Sequence, residues 1–209
     1  MEECVDELLP TRQSLILRLQ NWDDQESWRD FFNTYWKLIY AVAIKSGLSD
    51  TAAQDVVQDT IVSIATGLKD GRYDSAGGTF KSWLYTVTRR RIMDHFRRMQ
   101  ARPVSAAVVA EDSSLTPLLN RIPDPATLNW ENVWDKEWEK NLMDAAVANV
   151  KRQVKPLQYQ LFDCLVFKNW PMSEIKQKLH VSMHQVYFAK AKISRMIEKE
   201  ITRLRRELR

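Results

Sequence analysis

The stretch TAAQDVVQDTIVSIATGL at Thr51–Leu68 decides the fold class. Ala52, Ala53, Val56, Val57, Thr60, Ile61, Ile64, Ala65 and Leu68 recur there as adjacent pairs every four residues, the repeat of one buried helix face. Ser49, Asp50 or Thr51 can cap the start of this helix, and Gly67 lies at its end. Gln54, Asp55, Gln58 and Asp59 fall on the other side, so a polar, carboxylate-bearing face points outward.

Helical spacing continues in both directions. Upstream, an apolar stripe returns from Glu26 to Ser46 and stops at Gly47, with a shorter amphipathic segment at Thr11–Gln20. Downstream, a loop from Lys69 to Gly78 leads into a helix over Thr79–Gln100, which opens with Phe80, Trp83 and Leu84 and closes in clustered arginines. From Ala101 to Ala126 the composition turns to proline, serine and small residues and no helical period is sustained, which predicts a flexible linker. Trp130, Trp134, Trp138 and Leu142 then form a stripe at four-residue spacing, expected to be buried against the helices that follow it. Pro156 suits the first turn of a helix carrying Leu157, Leu161, Phe162, Leu165 and Val166. Ser173 can cap a short helix through Leu179, and Ser182 a longer one to the C-terminus. No run of alternating strand-like segments is present, so the expectation is an all-α chain of two small helical domains, 1–100 and 130–209, joined by a flexible linker at 101–129.

Composition agrees with that division, because 209 residues at 44% hydrophobic content can build two small cores. The formal charge of +4 is unevenly placed. Basic residues collect at Arg89–Arg102 and Lys190–Arg209, while acidic residues dominate Asp124–Asp144 and return as Asp50, Asp55 and Asp59. Separate positive and negative faces fit two partners, one of them polyanionic. Cys4 and Cys164 have neither CxxC pairing nor histidine at zinc-ligand spacing, so no metal and no cofactor is expected. The acidic start lacks an apolar h-region, and no apolar run reaches bilayer length, which predicts a cytoplasmic, non-membrane protein. Phosphate-loop, nucleophile-elbow and HExxH patterns are all missing, so an enzyme is not expected. Asp94 and His95 are adjacent on a basic helix without a matching nucleophile.

Two constellations carry function. Helix, brief turn and longer basic helix at Ser173–Met196 is the spacing of a helix-turn-helix. It leaves Ser182, His184, Gln185, Tyr187, Phe188, Lys190 and Lys192 for groove or phosphate contact, while Ile175, Leu179, Val181, Val186 and Ile193 fill the angle. On the helix after the loop, aromatic residues stand beside a cationic track. Phe80, Trp83, Tyr85, Arg89, Arg90, Arg91, Arg97 and Arg98 make up that run, with Phe80, Trp83 and Leu84 expected in the core.

AQDVVQDTI at Ala53–Ile61, followed by FKSWLYTVTRRRIMDHFRR at Phe80–Arg98, resembles domain two of the extracytoplasmic-function sigma factors of bacterial RNA polymerase. WPMSEIKQKLHVSMHQVYFAKAKI at Trp170–Ile193 is similar to domain four of the same family, and the two occur in the family's order. The resemblance implies a sigma factor without catalytic chemistry, binding core RNA polymerase and promoter DNA, with an anti-sigma factor as a further partner. It implies core-polymerase contacts at Asp55, Gln58 and Asp59 and minus-10 contacts at Tyr73, Tyr85, Arg89, Arg90, Arg91, Arg97 and Arg98. Ser182, His184, Gln185, Tyr187, Phe188, Lys190 and Lys192 become minus-35 contacts. The chain departs from the family where many members have Asn and it has Arg90, and where many have a K-S-R run and it has Tyr187, Phe188 and Ala189. Two competing readings are a free-standing helix-turn-helix regulator and a helical adaptor using the tryptophan stripe.

Overall fold

Each long apolar stripe becomes a helix in the computed structural model of the protein, which describes residues 13–73, 78–101 and 129–207. Eight α-helices and no strand occur among the described residues: α1 (Gln13–Arg18), α2 (Gln25–Lys45), α3 (Asp50–Lys69), α4 (Phe80–Ala101), α5 (Trp130–Gln153), α6 (Pro156–Phe162), α7 (Met172–Leu179) and α8 (Met183–Glu207). The all-α expectation therefore holds. Thr11 and Arg12, residues 74–77 of the first loop, and residues 102–128 of the linker lie outside the described residues, and Ala101 closes α4.

Local chemistry explains where the helices start and stop. Asp24 caps α2 by accepting from the Ser27 amide at 3.0 Å and the Ser27 hydroxyl at 2.8 Å. Gly47 leaves α2 with φ of 95°, a conformation glycine adopts without steric conflict, and the Leu48 amide reaches back to the Ala43 carbonyl at 3.3 Å. Of the three capping candidates for α3, Ser49 is the one used, its hydroxyl accepting from the Ala52 amide. Gly67 does not end α3 but sits inside its last turn, where a Cβ would stand 2.9 Å from Trp83 Cζ2. The glycine is there for close packing of an indole.

Two compact units result, one spanning Thr11–Asn141 and the other containing Leu142–Arg209. The division falls inside α5. In the first unit, α2, α3 and α4 enclose a core of Phe31, Tyr35, Ile39, Val56, Ile64, Leu84 and Ile92, all essentially inaccessible. Burial of that apolar surface is the main stabilising term, at about 25 cal/mol per Å². The tryptophan stripe is buried, as its spacing predicts, but against a different surface. Trp138 stacks on Tyr35 of α2 at 6.0 Å and Trp134 packs at a tilt against Tyr85 of α4 at 5.5 Å, so the first three turns of α5 pack in the first unit. Amphipathic spacing specifies that a face is covered, not which neighbour covers it.

In the second unit, Leu161, Cys164, Ile175, Val186 and Ala189 make the core of the helical hairpin, flanked by Leu165, Trp170, Met172, Leu179 and Val181. The chain after α6 widens into a π-helical segment, Asp163–Phe167, rather than continuing as α-helix. Pro156 occupies the first turn of α6. Pro171, not Ser173, is the cap residue of α7. A buried polar network ties α5 to α8: Asn149 donates to Glu200 at 2.8 Å, Arg152 donates to Asn149 at 2.6 Å, and Arg203 pairs with Glu200 at 2.5 Å.

Candidate functional site

The outward face of α3 carries Asp55 and Gln58 exposed and Asp59 partly so. They border a groove of about 1040 Å³ between α3 and α4, with Leu48, Ala52, Phe96 and Met99 contributing apolar walls and His95 and Arg98 its far rim. Carboxylates around an apolar floor suit a basic, partly hydrophobic partner surface.

On the adjoining side of the same helix pair lies a second groove, of about 790 Å³, whose lining includes Arg72, Trp83, Arg90, Arg91, Arg97 and Arg98 against two carboxylates, Asp59 and Asp94. Arg72 is a member that the sequence pattern did not single out. It lies in the loop after α3, paired with Asp70 at 2.6 Å, and only the fold brings it beside α4. The arginines are not equivalent. Arg91 turns inward, its Nε donating to Ser63 Oγ at 2.7 Å, so it braces α4 on α3. Asp94 holds Arg97 at 3.1 Å and approaches Arg91 at 3.4 Å, which gives that carboxylate a positioning role on the helix. Arg98 reaches Asp59 at 3.0 Å. Arg90 is exposed and has no ion-pair partner among the described residues.

The aromatic candidates are placed as differently. Phe80 and Leu84 are core residues, as expected, whereas Trp83 is only half-buried and lines the arginine groove. Tyr73 closes an aromatic cluster with Trp83 at 5.0 Å and Phe80 at 5.9 Å. Tyr85 lies under α5, against Trp134, and burial is the main cause that raises its phenol above the ordinary tyrosine range. Arg89 beside it sits over the Trp130 ring at 5.8 Å.

In the second unit, Ser182, His184, Gln185, Tyr187, Phe188, Lys190 and Lys192 are all exposed around α8, which follows α7 after a turn through His180 at φ of 51°. Ser182 and Gln185 cap the helix reciprocally: the Gln185 amide donates to Ser182 Oγ at 3.2 Å, and the Ser182 amide donates to Gln185 Oε1 at 2.8 Å. That leaves the side-chain NH₂ of Gln185 free to donate to an external contact. Lys192 turns back to Gln158 at 3.3 Å. His184 and Phe188 stack at 6.5 Å, and with Tyr187 they form an exposed aromatic ridge.

Among the described residues, no group of three or more His, Cys, Asp or Glu side chains is placed to hold a metal ion, and no helix is long and apolar enough to cross a membrane.

An acidic helix face and a basic, aromatic one thus lie on adjoining sides of one small helical unit. Residues 31–102, which hold both faces, match the family model for Sigma-70 region 2. The match covers that segment of the chain and supports a sigma-70-type role in transcription initiation for it. No curated protein matches the chain.

Proposed function

We propose that the chain is a two-domain sigma factor of the extracytoplasmic-function type, which binds core RNA polymerase, selects a two-part promoter and assists its opening. The observation that supports this most is the adjacency on one α3–α4 pair of the carboxylate groove and the arginine groove, inside the segment that matches Sigma-70 region 2. Asp55, Gln58 and Asp59 form the polymerase contact. Arg72, Arg90, Arg97 and Arg98 follow phosphates of the minus-10 strand, with Trp83, Tyr73 and Tyr85 as stacking surfaces.

The second unit, with its helix-turn-helix, takes the part of domain four. Its exposed aromatic ridge suits contact with thymine methyl groups in the minus-35 major groove, and Lys190 with neighbouring basic residues meets phosphate. Such a factor works in the cytoplasm and is held in check by an anti-sigma protein.

The reading is tested by capture of core RNA polymerase on the immobilised chain at physiological salt. Retention of core by the native chain, and its loss in a folded Asp55→Lys, Asp59→Lys variant, is the expected result. A chain that captures no core, yet binds duplex operators tightly and sequence-specifically by itself, is instead a free-standing regulator.

A further inference from the structure

The first three turns of α5 present an unusual pairing of chemistries to α4. Trp130 and Trp134 lie against Arg89 and Tyr85, while Asp135 pairs with Lys81 at 2.7 Å and Lys81 also sits 5.7 Å from the Trp138 ring. Glu137, which is 6% exposed, pairs with Lys45 of α2. Aromatic rings with carboxylates beside them, laid on a tyrosine and cations, resemble the bases and phosphates that a single nucleic-acid strand would lay on Tyr85 and Arg89. Glu131 and Asp135 are near enough to Tyr85 to act on its phenol electrostatically.

The contact is not fully satisfied. Trp134 is only 3% exposed, yet its indole N–H has no hydrogen-bond partner among the described residues. A buried N–H left unpaired opposes the closed arrangement, and release to water relieves it. Lys81–Asp135, with the aspartate largely exposed, adds little net attraction. Hydrophobic cover holds the segment down, while its polar groups favour leaving.

We infer that Trp130–Asn141 is an internal competitor for the flank of α4 that carries Tyr85 and Arg89 and adjoins the arginine groove through Arg90 and Arg97, held there until a nucleic-acid strand displaces it. This rests on the reading of α4 as a nucleic-acid face. Apparent affinity for single-stranded DNA is then reduced by the fraction of molecules that are open.

The test uses the full chain and a short fluorescein-labelled single-stranded oligonucleotide at low salt. With an open fraction of about one tenth, Trp134→Ala binds the oligonucleotide about tenfold more tightly than the native chain. Helical circular dichroism establishes that the variant is folded. Hydrogen exchange on the native chain needs no variant: saturating oligonucleotide speeds exchange of amides in 130–141 and slows it in 80–98. If the native chain and the variant bind equally and exchange at 130–141 is unchanged, the competitor role is overturned while the nucleic-acid reading of α4 stands. If neither binds, the reading of α4 falls, and the competitor role with it.

Discussion

Arg98 Nη2 lies 3.0 Å from Asp59 Oδ2, so a cation of the arginine groove is clasped by a carboxylate of the neighbouring acidic groove. Both side chains are substantially exposed, at 62% and 44%, and such pairs contribute little to stability. A double-mutant cycle of Arg98→Ala with Asp59→Ala in urea unfolding is expected to show a coupling below about 1 kcal/mol. The pair leaves both groups available for outside partners at small cost.

Gly67 behaves in the opposite way. Alanine there gains about 1 kcal/mol of helix propensity, but its methyl meets the Trp83 ring, which Tyr73 and Phe80 hold in place. Overpacking of this kind costs about 1–3 kcal/mol, so Gly67→Ala is expected to lower stability by up to about 2 kcal/mol. Chemical denaturation followed by tryptophan fluorescence measures it.

Asp24 makes the cap of α2 sensitive to acid. The Arg18 guanidinium, 3.0 Å away, and the two Ser27 donors hold its carboxyl at about 2, below the ordinary 3.8. The depressed value means that the ionised cap stabilises the fold above the unfolded pKa and loses that effect as pH falls through the folded one. The difference in thermal midpoint between the native chain and Asp24→Ala should be full above pH 3.8 and shrink as pH drops to about 2. A difference that grew on acidification would contradict the assignment.

Arg90, without an intramolecular ion pair among the described residues, is the arginine best placed to neutralise a phosphate. Arg90→Ala is expected to reduce the slope of log affinity against log salt for promoter complexes by about 0.7–0.9, equally for different sequences. Arg91→Ala, which removes the brace to Ser63, should instead lower stability.

Much of this architecture was legible in the chain because α2, α3 and α8 bury one face each, and burial of one face writes a 3.6-residue period into the sequence. The carboxylates of α3 were legible for the same reason, being the residues that the period leaves outside. What the pattern does not encode is choice among neighbours. Trp134 and Trp138 were readable as part of a buried stripe, yet their partners, Tyr85 and Tyr35, lie far upstream in the chain, on the other side of the linker. Arg91 and Arg97 look alike in sequence, and only a rotamer turned toward Ser63 separates a brace from a surface cation. The π-helical segment at Asp163–Phe167 left no signal, since one extra residue in a turn needs no special side chain.

In vitro transcription with purified core RNA polymerase, the purified chain and genomic DNA fragments, followed by mapping of the RNA 5′ ends, addresses the central claim most directly. Transcripts that begin at a defined set of sites sharing an upstream two-part motif, and only when both proteins are present, are the predicted result. Start sites identical with and without the chain would contradict it.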